Sequence, residues 1–147
     1  MVFFKAPRRQ MRRTCVLAGF AALLALAGLP AQALEAPKGP VILIVDGAIA
    51  ISNEAGGRAL FDRELLERMG ATTVVTTTPW TEGVPKFEGV LLRRVLEAVG
   101  AKGETLRMVA INDYAVEIPA ENAKEYGVVL AYRMNGEQLT VRSKGPL

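Results

Sequence analysis

The side chains with the most chemical range in this sequence fall into two sets. The carboxylates Asp46, Asp62, Glu64, Glu82, Glu88, Asp113 and Glu117 are scattered along the chain, and no two have the spacing of an acid–base pair. Side chains of this type are seldom fully buried, so a solvated surface accounts for them. The second set is aromatic and basic: Trp80, Tyr114, Tyr126 and Tyr132, with Arg133, Arg142 and Lys144 towards the C-terminal end. Arg recognises anions through a planar fork, Lys through a point charge, and Trp and Tyr supply stacking faces. Together they could hold a small anion. The blander account makes the aromatics core or rim residues and the cations solubility groups.

The exclusions are firmer. The chain contains no His, and its one Cys is Cys15. Beyond residue 33 there is therefore no thiolate nucleophile, no disulfide and no Cys or His metal ligand. Imidazole acid–base chemistry is excluded, and Ser52 has no His with which to form a Ser-His-Asp arrangement. Gly39-Pro40 and Gly56-Gly57 lack the Lys-Ser or Lys-Thr pair of a phosphate loop, which leaves them as turns. These residues name no catalytic group.

Residues 1–33 have the layout of an export signal. Lys5, Arg8, Arg9, Arg12 and Arg13 form a basic start, residues 15–29 are apolar, and Ala31-Gln32-Ala33 supplies a small-x-small cleavage pattern. The apolar run is short for a membrane span, although a retained anchor is the alternative. A periplasmic or secreted protein is expected, beginning near Leu34 and free of a membrane span once the signal is removed. Without those five cations the remainder carries 13 Lys and Arg against 15 Asp and Glu, a net charge of −2. The basic balance thus belongs to the signal, and no basic patch argues for nucleic acid. Residues 34–147 suffice for one domain with a single core.

The elements that must position the candidate residues follow from periodicity. Residues 41–45, "VILIV", read as a strand covered on both faces, and Asp46-Gly47 as a turn. Residues 48–60 read as a loop, with or without a short strand. A short amphipathic helix is expected over 61–69, capped by Asp62 and ended by Gly70. "TTVVTTT" at 72–78 is a strand stopped by Pro79, and 90–99 a helix stopped by Gly100. "LRMVAIND" and "YAVEIP" pair about a tight turn, and a one- or two-turn helix follows within 119–127. Asn135-Gly136 signals a hairpin between "VVLAYRM" and "QLTVRS", with Met134 and Glu137 beside the turn. The expected class is α+β, a mixed sheet with short helices.

In order, "TTTPWTEGVPKFEGVLLRRVLEAVGA", "AINDYAVEIP" and "LAYRMNGEQLTVRSKGPL" resemble the oxidoreductase molybdopterin-binding domain of the sulfite oxidase family. The corresponding residues are Trp80, Phe87 to Leu92, Asn112-Asp113-Tyr114, Ile118-Pro119, Leu130-Ala131, Met134-Asn135-Gly136, Leu139 and Gly145-Pro146-Leu147. The likeness covers most of residues 72–147. It implies a sulfite oxidase-like core and a cofactor pocket that engages Thr76, Trp80, Tyr114, Arg142 and Lys144. Trp80 would stack there, and the two cations would neutralise charge.

The resemblance also exposes departures. The family holds molybdenum through a Cys, commonly four residues before the turn Trp, and that position is Thr76 here. A Thr hydroxyl stays protonated and is a weak, hard ligand, unlike a thiolate. The chain also stops at Leu147, before an Arg and a strand that the family pattern leads one to expect. Neither Arg pair near the start has the residues that follow in a twin-arginine signal, which suits general secretion of a cofactor-free chain. Expected, therefore, is a small exported relative without the metal, binding a small anionic ligand or an envelope protein partner. The alternatives are a molybdopterin-dependent oxidoreductase of the sulfite oxidase type and a regulatory partner of an envelope sensor.

Overall fold

The computed structural model describes residues 34–143 and 145–147; the expected export signal at 1–33 and Lys144 lie outside the described residues. The first element is an antiparallel pair of β1 (Val41–Val45) and β2 (Ala59–Asp62). β1 is not covered on both faces, for Val41 is 41% and Ile44 51% exposed. It belongs to a two-stranded sheet and gives only Ile42, Leu43 and Val45 to the core.

The helix expected over 61–69 is α1 (Arg63–Arg68), because Phe61 and Asp62 are taken by β2. Phe61 pairs with Leu43 and is fully buried. Asp62 caps the helix as expected, its Oδ1 accepting from Leu65 N at 2.9 Å. The other carboxylate oxygen accepts from Lys38 N at 2.7 Å and Gly39 N at 2.8 Å, so one side chain fastens the N-terminal segment to the helix start. The N–H groups of Leu65 and Gly39, and then of Lys38, hold its carboxyl below the usual range. Gly70, at φ 93°, ends the turn as expected.

β3 (Thr72–Val75) pairs antiparallel with β4 (Lys86–Leu91), which runs directly into α2 (Leu92–Ala98). The helix expected over 90–99 thus starts two residues later. Val90 and Leu91 belong to β4, and their apolar run served strand and helix periods equally well. β3 is shorter than expected: the pairing ends at Val75 opposite Lys86, and Thr76 N donates to Pro85 O at 3.3 Å to close the ladder.

β5 (Thr105–Val109) and β6 (Ala115–Pro119) form a separate hairpin, followed by α3 (Ala120–Glu125). β7 (Val129–Met134) then pairs with β4, and β8 (Glu137–Gln138) with β7. Asn135 and Gly136, at φ 53° and 85°, make the two-residue turn expected of them, with Met134 opposite Glu137. The strand expected over 138–143 does not continue past Gln138. Leu139 is buried instead, its N donating to Tyr132 O at 2.9 Å, and Val141–Ser143 is a 3-10 turn.

The class is α+β. In place of one mixed sheet there are three small antiparallel ones, of which the largest has the order β3-β4-β7-β8. Phe61, Leu66, Val90, Val95, Val99 and Tyr132 are the largest fully buried side chains and fill one core between α1, α2, β2 and the largest sheet. Each such apolar burial contributes about 1.5–3 kcal/mol before chain entropy is set against it.

One irregularity sets the character of that sheet. Between β4 and β7 the partners run Glu88 to Arg133 and then Gly89 to Ala131, leaving Tyr132 as an extra residue in a bulge. The strands approach so closely that a Cβ on Gly89 would collide with the Leu130 carbonyl oxygen and lie 2.6 Å from Ala131 Cα. Glycine is required there by space rather than by dihedral freedom.

Candidate functional site

The bulge shifts the alternation of β7, so that Tyr132 and Arg133 both lie on the side of α1. On that side Arg133 Nη1 donates to Glu88 Oε1 and its Nη2 to Glu67 Oε1, each at 2.8 Å. Arg63 donates to Tyr132 O at 3.0 Å. The Arg63 and Arg133 guanidinium carbons stand 5.8 Å and 5.6 Å from the centre of the Tyr132 ring, within cation–π range. Burial, and then the Glu88 and Glu67 charges, push the Tyr132 phenol up, so the ring stays neutral. Glu88 first, and Glu67 with it, hold the Arg133 guanidinium above its usual range. A hollow of about 580 Å³ opens beside these groups, lined in part by Asp62, Arg63, Glu67 and Arg133. Its two arginines are already hydrogen-bonded, Arg133 to carboxylates and Arg63 to a carbonyl, and Lys38 and Glu64 also line the hollow.

The opposite face of the same sheet is apolar. Phe87 of β4 and Val129, Ala131 and Met134 of β7 floor a cleft of about 670 Å³. Met108 of β5, Leu139 and Leu147 add apolar walls, and the 78–85 loop supplies Thr78, Trp80, Thr81, Glu82 and Pro85. The loop is held by its own hydroxyls: Thr78 Oγ1 and Thr81 Oγ1 are 2.8 Å apart, and Trp80 N donates to Thr78 Oγ1 at 3.3 Å. Such hydroxyl-braced turns present the intervening residue outwards. Trp80 is accordingly 74% exposed at the rim, more than a core residue would be. The volume falls in the range of small-molecule sites.

The expected pocket residues are only partly gathered here. Trp80 and Arg142 line this one cleft. Thr76 does not line it: the residue is exposed, and its hydroxyl donates to Thr77 O at 3.3 Å. Thr78, two residues further on, is the threonine that reaches the cleft. Tyr114 stands apart at the β5–β6 turn, 67% exposed, with its N donating to Asn112 Oδ1 at 3.3 Å. Lys144 is outside the described residues. Sequence reasoning passed over the apolar floor, although "VVLAYRM" carried the signal. A strand with apolar residues in both phases needs cover on both faces.

The chain has an α+β core with a Trp-bearing turn beside a sheet face and a β7–β8 hairpin about Asn135-Gly136. A model of the oxidoreductase molybdopterin binding domain matches residues 62–147, and the chain belongs to that family. No curated protein shows a significant match to it.

The residues present do not fit the family's metal. The position at which the resemblance calls for a thiolate carries an exposed hydroxyl turned onto a neighbouring carbonyl. Among the described residues no group of three or more His, Cys, Asp and Glu side chains is placed to hold a metal ion. Among the described residues the cleft is lined by one cation, Arg142, and one carboxylate, Glu82, against a largely hydrocarbon lining. Among the described residues no helix is long and apolar enough to cross a membrane.

Proposed function

We propose that this protein is an exported, non-catalytic binding module that keeps the scaffold of the molybdopterin-binding domain without the metal chemistry. The observation that carries the reading is the side chain at position 76, a hydroxyl where the family pattern calls for a thiolate. The cleft under Trp80 supports a binding role, since it is of ligand size and largely apolar. Export rests on the basic, apolar and small-x-small order of residues 1–33.

A second reading, a molybdopterin-dependent oxidoreductase, is favoured by one observation, the family match over residues 62–147. Family membership speaks to the scaffold and leaves the chemistry to the site. The two readings separate spectroscopically. The full chain, purified after growth with molybdate, is expected to show no pterin fluorescence and no charge-transfer band in the visible. A pterin signal that co-purifies in proportion to protein would favour the oxidoreductase.

A further inference from the structure

We infer that the cleft beneath Trp80 binds a flat aromatic molecule carrying a single negative group, such as an aromatic carboxylate or sulfonate. The inference rests on the binding-module reading and names the ligand class of that site. The chemistry of the lining selects it. The floor of Phe87, Val129, Ala131 and Met134 is hydrocarbon and thioether, so the body of the ligand is apolar. Two methionines, Met108 and Met134, face the cleft, and their flexible, polarisable side chains suit aromatic edges. Trp80 at the rim and Phe87 in the floor provide ring faces.

Arg142 decides the polar end. Among the described residues it is the one cation lining the cleft, and it has no carboxylate partner there. Every ion pair of Arg133, by contrast, is on the other face of the sheet. One guanidinium at the mouth answers one anionic group, and Glu82 on the same rim disfavours a second. A small inorganic anion has no apolar body to seat against the floor.

The chain's single tryptophan gives the test a built-in reporter. The full chain is titrated with 1-anilinonaphthalene-8-sulfonate, an anionic aromatic dye, and with uncharged N-phenyl-1-naphthylamine, reading energy transfer from Trp80. Both dyes are expected to bind with one-to-one stoichiometry and to show transfer, the anionic one more tightly. Arg142→Gln should weaken the sulfonate dye about two- to fivefold, the scale of an exposed charge pair, and leave the neutral dye unchanged. Ala131→Phe, which fills the floor, should abolish transfer to both, with circular dichroism confirming that the fold persists. Should that variant unfold, Arg142→Gln carries the test alone.

Dye binding at several sites, or transfer indifferent to Arg142→Gln, overturns the inference and leaves the binding-module reading standing. A pterin already filling the cleft of the isolated protein overturns both. The two failures are distinguishable, because the second shows its own absorbance before any dye is added.

Discussion

The two faces of the β3–β4–β7–β8 sheet are built from the same strands and have opposite characters. Towards α1 the face is committed: Tyr132 is fully buried, and Arg133 spends its guanidinium on Glu88 and Glu67. Towards the 78–85 loop the face is apolar and open, with Phe87, Ala131 and Met134 under a cleft whose one cation among the described residues is Arg142. An ordinary antiparallel sheet packs one face and hydrates the other. Here charge is consumed on the packed side and hydrocarbon is left at the open side. The packed face maintains the scaffold, and the open face is the one to which the proposed binding role is assigned.

The largest expected effect contrasts the two faces directly. Tyr132→Ala removes a fully buried ring and should cost about 3–5 kcal/mol of stability, as large-to-small core changes do. Phe87→Ala, on a half-buried ring of the cleft face, should cost roughly half as much or less. Urea unfolding of both variants checks the pair. Equal losses would mean that the cleft face is packed as tightly as the core.

Gly89→Ala strikes the feature that separates the faces. A methyl there would be forced against the Leu130 carbonyl and Ala131 Cα, so the bulge must open or the register must slip. A loss of about 1–3 kcal/mol is expected, as for overpacking elsewhere. Energy transfer from Trp80 to the anionic dye should fall with it, because the cleft floor moves. A variant as stable as the parent would show that the bulge is not fixed by close approach.

The smallest effect concerns the cap that ties the N-terminal segment to α1. The Asp62 carboxyl is held below its usual range by the Leu65, Gly39 and Lys38 N–H groups. A lowered folded-state pKa adds stability that is complete above the ordinary carboxylate value of about 4 and is lost as pH falls through the folded value. Asp62→Asn replaces one of the accepting oxygens by an amide nitrogen and should cost about 1 kcal/mol at neutral pH, the scale of a lost hydrogen bond, and progressively less as the pH falls. Urea midpoints of parent and variant at neutral and acidic pH measure both. The cleft face should be indifferent to this change.

Some of this was legible in the residues. Asp62 was readable as a cap and Gly70 as a stop, because capping is local chemistry. The Asn135-Gly136 turn was equally so, since few residues accept two successive positive φ values. The family likeness needed only the order of motifs. β4 was missed because Phe87 to Leu92 satisfies a strand period and a helix period at once, and only pairing with β3 and β7 decides between them. The bulge at Tyr132 is a tertiary fact for which Gly89 is the only local clue.

At the site, the sequence pointed to Trp80 and Arg142, and both line the cleft. It also pointed to Thr76 and Tyr114, which do not. Counting along the chain cannot see that β3 ends at Val75 and that the following turn, braced by Thr78 and Thr81, brings Thr78 rather than Thr76 to the cleft. The apolar floor was visible in "VVLAYRM", but only a sheet with both neighbours in place shows which phase remains uncovered.

The central claim is that the scaffold persists without its metal. Elemental analysis for molybdenum on the full chain, produced with molybdate in the medium, tests it most directly. The account predicts trace metal that does not scale with protein. Stoichiometric molybdenum retained through gel filtration would contradict it.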